Sequence, residues 1–296
     1  MENYFQDLRR SPAFTTFLLI WLVSAAYLSL SGYGSMAVFG LLNLVGSGVL
    51  ILLTRRFTQS APPSPRPETS RQRTLLFLQL LMIGVVILLT AYRGLVFHRV
   101  LPAEPGLPLW TPFVSAMERL GGEWFGNDNY VANPVLYFLV VFILLIATGA
   151  LPREIGFGPG HRVWQVIGLW SVGPLLVIAY TLIAGQVTLS VVGARLLSNA
   201  IQNGFFEEFL FRGALQTRLR RILNPAWAVV IQALIFGVWH LGLGYTNTAY
   251  DGFLPAVTAT LVNQAVLGLA FGMIFERTRN LLAPSVVHVF FNSMGI

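Results

Sequence analysis

The chain has 296 residues, of which 55% are hydrophobic and only 10% charged, against roughly 25% charged in an average soluble domain. A soluble protein of this size could not cover its surface with so few charges. The net charge of +7 comes from 19 basic residues, all arginine and all set between apolar runs, so no basic face forms; lipid headgroups account for them and nucleic acid does not.

Cysteine is absent, which excludes a disulfide framework, thiolate metal ligands and a cysteine nucleophile together. Arg9 and Arg10 precede a first apolar run over 13–31. Ser24-Ala25-Ala26 has the look of a signal-peptide cleavage site, but the run is longer than the 7–15 residues of a signal core and a second follows closely. It reads as a retained span. A helix needs about 20 apolar residues to cross the ~30 Å hydrocarbon core. On that measure the spans fall at 13–31, 36–54, 75–92, 134–151, 163–184, 194–216, 226–243, 256–275 and, short, 281–295. The expected fold is an all-α polytopic bundle of eight to nine spans, multi-pass in the membrane (the plasma membrane in a prokaryote).

Residues 58–74, rich in Pro, Ser and Arg, read as a disordered linker, and 93–133 as a long outer loop in which 112–124 forms a surface helix. With the N-terminus in the cytoplasm, that side receives most arginines, including Arg9, Arg10, Arg55, Arg56, Arg66, Arg218, Arg220, Arg221, Arg277 and Arg279. The outer side receives Arg93, Arg99 and Arg119, the expected positive-inside bias. Two regions follow: 1–151, four spans with the linker and outer loop, and 152–296, which carries the chemistry.

Ionisable groups inside spans are costly and are functional candidates by default. They cluster in the last third: Glu207, Glu208 and Arg212 in the sixth span, Phe236 and His240 in the seventh, His288 and Asn292 in the last. Glu208 and Arg212 are four apart with the acid first, the favourable order for an intrahelical pair, and read as a brace. Glu207 is rotated by ~100° from Glu208 and faces elsewhere. His288 and Asn292 share a face, as do Phe236 and His240. At 1.5 Å per residue from their helix ends, Glu207, His240 and His288 lie ~18, ~21 and ~12 Å deep, which lets them meet in one cavity. Gly268 and Gly272 form a GxxxG for close helix packing. Asn263 and Gln264 read equally as interhelical glue or as cavity lining.

The order EExxxR (Glu207, Glu208, Arg212), FxxxH (Phe236, His240) and HxxxN (His288, Asn292), each on its own apolar helix, resembles the CPBP family. That family comprises CAAX proteases and bacteriocin-processing enzymes, including the Ras-converting-type CAAX endoproteases. Phe211-Arg212-Gly213 matches its FRG flank, and the likeness runs from about Gly204 to Asn292. There is no HExxH, GxSxG or GxGD, so zinc, serine and aspartyl intramembrane proteases lack their usual signatures.

The resemblance implies an intramembrane endopeptidase. Glu207, helped by His240, would take a proton from water; His288 and Asn292 would donate hydrogen bonds to the oxyanion; Glu208, Arg212 and Phe236 would support the site. It implies a peptide or membrane-protein substrate, prenylated at its C-terminus in one version, and no cofactor. A His₂Glu zinc site on His240, His288 and Glu207 stands as the rival mechanism. A non-catalytic immunity or scaffold protein is the rival of another class.

Overall fold

The computed structural model describes residues 11–58, 67 and 69–294, and among them every regular element is helical. Pro12 opens α1 (Pro12–Leu30), its missing N–H falling where a helix has no acceptor to offer. α2 (Gly34–Phe57) completes an outer hairpin. α3 (Ser70–Phe97) begins at a capping box: Thr69 Oγ1 accepts from Gln72 N and Gln72 Oε1 accepts from Thr69 N, each at 3.2 Å. This corrects the expected linker, whose last residues from Ser70 on are helical; residues 59–66 and 68 of it, like Arg9, Arg10 and Arg66, lie outside the described residues.

The outer loop is also more ordered than expected. Its first residues continue α3 as far as Phe97, and α4 (Trp110–Phe125) takes up much of the rest. α5 (Asn129–Ala147) then starts before Pro134 and holds a π turn over Pro134–Leu139, because proline removes one ladder donor and the helix rewinds around it. α6 (Val163–Ile183) carries Pro174 in its interior.

The acid-bearing helix α7 runs over residues 189–219. α8 (Pro225–Trp239) is capped by Asn224, whose Oδ1 accepts from Trp227 N at 3.0 Å, and it bends by 53° into α9 (Leu241–Asn247). α10 (Phe253–Thr278) is kinked at Asn263, and α11 (Leu282–Met294) closes the described chain.

Among the described residues six helices are long and apolar enough to cross a membrane, or seven if α8 and α9 form one span, as suits a multi-pass integral membrane protein. The expected eight to nine is an approximate count for a physical reason. α7 is too polar to pass on hydropathy, and α11, with 13 residues, is only about 20 Å long.

α10 is the axis of the bundle. Its most apolar window is 67% buried inside the protein, against 17% for α2, which turns leucines and valines outward. α8 and α2 pack along it, and α1 lies on its first half. Trp21 Nε1 donates to the Val262 carbonyl that the Asn263 kink releases, at 3.0 Å. α11 packs against α6, α7 and α10, so a helix too short to span is held by three neighbouring helices.

Candidate active site

Two π turns, Ala200–Gly204 and Phe209–Gln216, flank the single α-turn Phe205–Glu208 of α7. Such bulges re-aim side chains within an otherwise straight helix. Gly204 lets α7 approach α11: a Cβ there would collide with Val289 and sit 3.1 Å from the Ser285 carbonyl. Glu208 Oε1 accepts from Arg212 Nη1 at 2.9 Å and lies 2.8 Å from His288 Nδ1, with Glu208 and Arg212 fully buried.

The expected brace therefore has a third member. Arg212 Nη2 donates to the Gly268 carbonyl at 3.1 Å, and its guanidinium lies 4.5 Å from the Phe236 ring and 5.4 Å from Phe271. Gly268 makes this reach possible. A Cβ there would stand 3.0 Å from the Ala233 backbone, so α8 and α10 touch along the GxxxG and leave its carbonyls to side chains.

His240 and His288 each have one ring nitrogen tied down. The helix breaks at His240: its N–H turns to the Gly237 carbonyl, and its Nδ1 takes the Phe236 carbonyl at 2.8 Å. A carbonyl only accepts, so Nδ1 carries the hydrogen and Nε2 presents a lone pair. That Nε2 lies 3.8 Å from Glu207 Oε2. His288, stacked on Phe271 with its Nδ1 on Glu208, points its own Nε2 at the same Glu207 Oε2 across 3.9 Å. Glu207 Oε2 is buried and makes no hydrogen bond among the described residues.

Glu207, His240, His288 and Asn292 line one cavity of about 410 Å³. Asn292 is exposed at its wall, one turn beyond His288. Phe236 packs beneath His240, ring to ring at 4.6 Å, and Gln264 joins the lining while Asn263 makes the kink. All four residues expected to do chemistry are thus together; Glu208 touches His288, Phe236 touches His240, and Arg212 stands behind them on Glu208 and Phe236.

Sequence reasoning missed the far wall. Thr90, Arg93, Asn133 and Tyr137, from α3 and α5, line the same cavity. The available signal was that the apolar helical pattern runs past Arg93 to Phe97, which puts that arginine inside a span rather than in a loop. Among the described residues no group of three or more His, Asp or Glu is arranged to hold a metal ion.

Residues 189–294 match the family model described as type II CAAX prenyl endopeptidase Rce1-like. The match spans α7 to α11 and contains all seven motif residues, in agreement with the resemblance read from the sequence. This part of the chain is therefore similar to the Rce1-like endopeptidases. Neither the curated proteins nor the solved structures contain a match to this chain.

Proposed function

We propose, from the premise of an Rce1-like domain at residues 189–294, that this protein is a glutamate-dependent intramembrane endopeptidase. One observation carries the reading: Glu207 Oε2, His240 Nε2 and His288 Nε2 converge from three helices, with each ring's other nitrogen pinned. Gaps of 3.8 and 3.9 Å exceed a hydrogen bond and suit a water oxygen bridging the three groups.

Glu207 takes the proton of that water while His240 Nε2 accepts its second hydrogen bond, so hydroxide forms facing the scissile carbonyl. The charge that develops on the carbonyl oxygen needs donors already in position. Asn292 offers its amide NH₂. His288, in its doubly protonated form, donates from Nε2 while Nδ1 stays on Glu208. Collapse of the tetrahedral intermediate returns the proton on Glu207 to the leaving amine, which balances the step. Glu208 and Arg212 hold the His288 ring, and Phe236 aims His240.

The zinc rival would use the same Glu207, His240 and His288. Ligands of a tetrahedral zinc at ~2.1 Å lie ~3.4 Å apart, closer than Glu207 Oε2 is to either histidine Nε2. The substrate is a peptide segment met at the bilayer, and a C-terminally prenylated peptide is the candidate named in the family's description. The test is cleavage by detergent-purified protein of a peptide panel with and without prenyl groups, with and without a strong chelator. Chelator-resistant hydrolysis is expected. Stoichiometric zinc that leaves together with activity would establish the rival mechanism, and hydrolysis of no peptide would favour a scaffold.

A further inference from the structure

The family match begins at residue 189, yet one wall of the cavity comes from α3 and α5. Arg93 is the centre of that wall and is 9% exposed within α3. Its Nε donates to Glu118 Oε1 of α4 at 2.8 Å, and its Nη2 to Asn129 Oδ1 at 2.6 Å. Its Nη1 donates to Asn133 Oδ1 at 2.7 Å and to the Tyr137 hydroxyl at 3.2 Å. A cation so deep in a span needs these partners, but a cation is not needed to join three helices. What the cluster does besides neutralise itself is seen in where Asn133 points next.

Asn133 accepts from Arg93 with its Oδ1, which turns its Nδ2 towards α7. That Nδ2 donates to the Gln202 carbonyl at 3.1 Å and to Asn203 Oδ1 at 3.4 Å, inside the π turn that ends just before Phe205. A π turn withholds carbonyls from the normal ladder, and Asn133 supplies Gln202 with a donor. A second arm reaches the other side of the site. The Tyr137 ring meets Trp239 at 5.3 Å, Trp239 Nε1 donates to Thr90 Oγ1 at 2.9 Å, and the Trp239 ring lies 4.9 Å from His240.

We infer that Arg93 is a positioning residue, acting through Asn133 on the turn that carries Glu207 and through Tyr137 and Trp239 on His240. The two arms fix the gap between Glu207 and His240 from outside the Rce1-like domain. The catalytic unit then includes α3 to α5. A displacement of about 1 Å in a reacting group can cost 10²-fold in rate, so the link is felt in turnover before binding.

The kinetic arm of the test rests on the protease reading, and a second arm does not. Asn133→Asp is the sharpest variant: its carboxylate still accepts from Arg93 but has no donor for Gln202. Its Tm is expected near that of wild type. Hydrogen–deuterium exchange of the peptide covering 200–212 should rise. Assayed on a quenched-fluorescent peptide with a farnesylated cysteine, and on its unprenylated twin, kcat should fall at least tenfold with KM within twofold. Val141→Ala, a buried cavity variant on the same helix, is the control for general loosening. The inference is overturned if exchange over 200–212 stays at the wild-type level, or if the kcat loss is no greater than in Val141→Ala. If the wild type cleaves neither peptide, the protease reading falls while the exchange result still decides the positioning role.

Discussion

Helices α7 and α10 meet at two buried polar clusters, one turn apart and alike in parts. In the first, Arg212 spans Glu208 and the Gly268 carbonyl. In the second, Gln216 donates to the Gly272 carbonyl at 3.1 Å and to Glu276 Oε2 at 3.4 Å, while Arg220 and Arg279 reach Glu276 Oε1 at 3.0 and 3.1 Å. Both use a glycine of the GxxxG to bare a carbonyl. They differ in what their acids are left with. Both oxygens of Glu276 are engaged. Glu207, beside the first cluster, has a buried oxygen without a hydrogen bond, the Nε2 atoms of two histidines facing it and open space in front. Glu208 Oε2 is likewise buried without a hydrogen bond, so an unsatisfied oxygen alone does not separate the acids. What sets Glu207 apart is its place on the cavity, with a ring nitrogen of each histidine before it.

If that difference decides function, substitutions should separate turnover from stability. The largest effect on turnover is expected at Glu207. Glu207→Gln keeps shape and burial but removes the base, and kcat should fall by 10²–10⁴-fold, the usual range for a general base. The Tm should stay near that of wild type, because no hydrogen bond of Glu207 Oε2 is lost. Retained turnover in this variant would remove Glu207 from the mechanism.

Asn292→Ala comes next. Loss of one oxyanion donor costs about 10²–10³ in kcat with little change in KM. Asn292 is exposed, so the fold should tolerate the change. Elemental analysis of the same samples gives the contrast with zinc chemistry, in which an amide is at most an outer partner and its loss would lower metal content instead.

Arg212→Met should act on both quantities. It leaves Glu208 buried with His288 as its remaining partner, and breaking one side of a buried pair costs about 3–5 kcal/mol. Turnover per folded molecule should fall less than in Asn292→Ala, since His288 loses only part of its support. A fully stable but inactive Arg212→Met protein would move Arg212 from brace to chemistry.

The sequence was informative where a helix meets lipid and silent where it meets protein. The apolar runs behind α1, α2, α3, α5 and α6 are long enough to be read directly, since lipid permits little else. The runs behind α7 and α11 are the weakest, because one is polar and the other short, and their motifs are what mark them out. The Thr69-x-x-Gln72 capping box was readable and shows where the linker ends. The contact between Glu208 and His288 joins residues 80 apart, and the π turns around Glu207 answer to the packing of α11 and α5 on α7; neither leaves a local pattern. Grouping the four cavity residues needed only their order and depth. The far wall needed the fold.

The smallest effect on turnover is expected at Glu276, the acid that most resembles Glu207 in burial. Glu276→Gln keeps one acceptor oxygen, for Gln216 or for the arginines but not for both sides, and removes the charge that faces both Arg220 and Arg279. Arg220 is 5% exposed, so its guanidinium cannot simply turn to water. Loss of its counter-charge should lower stability by up to the 3–5 kcal/mol of a broken buried pair. Arg279 is more exposed and can re-solvate, which softens the cost. Turnover is another matter. The Glu276 cluster adjoins neither His240 nor His288, and Gly268 and Gly272 hold α8 against α10 whatever the charge at 276. Thermal melts should therefore shift downward while kcat, corrected for the folded fraction, stays within about twofold of wild type, well under one decade or ~1.4 kcal/mol. A loss of kcat comparable to that of Glu207→Gln, in protein shown to be folded, would mean that the two clusters work as one and that a place on the cavity does not set the catalytic acid apart from the structural one.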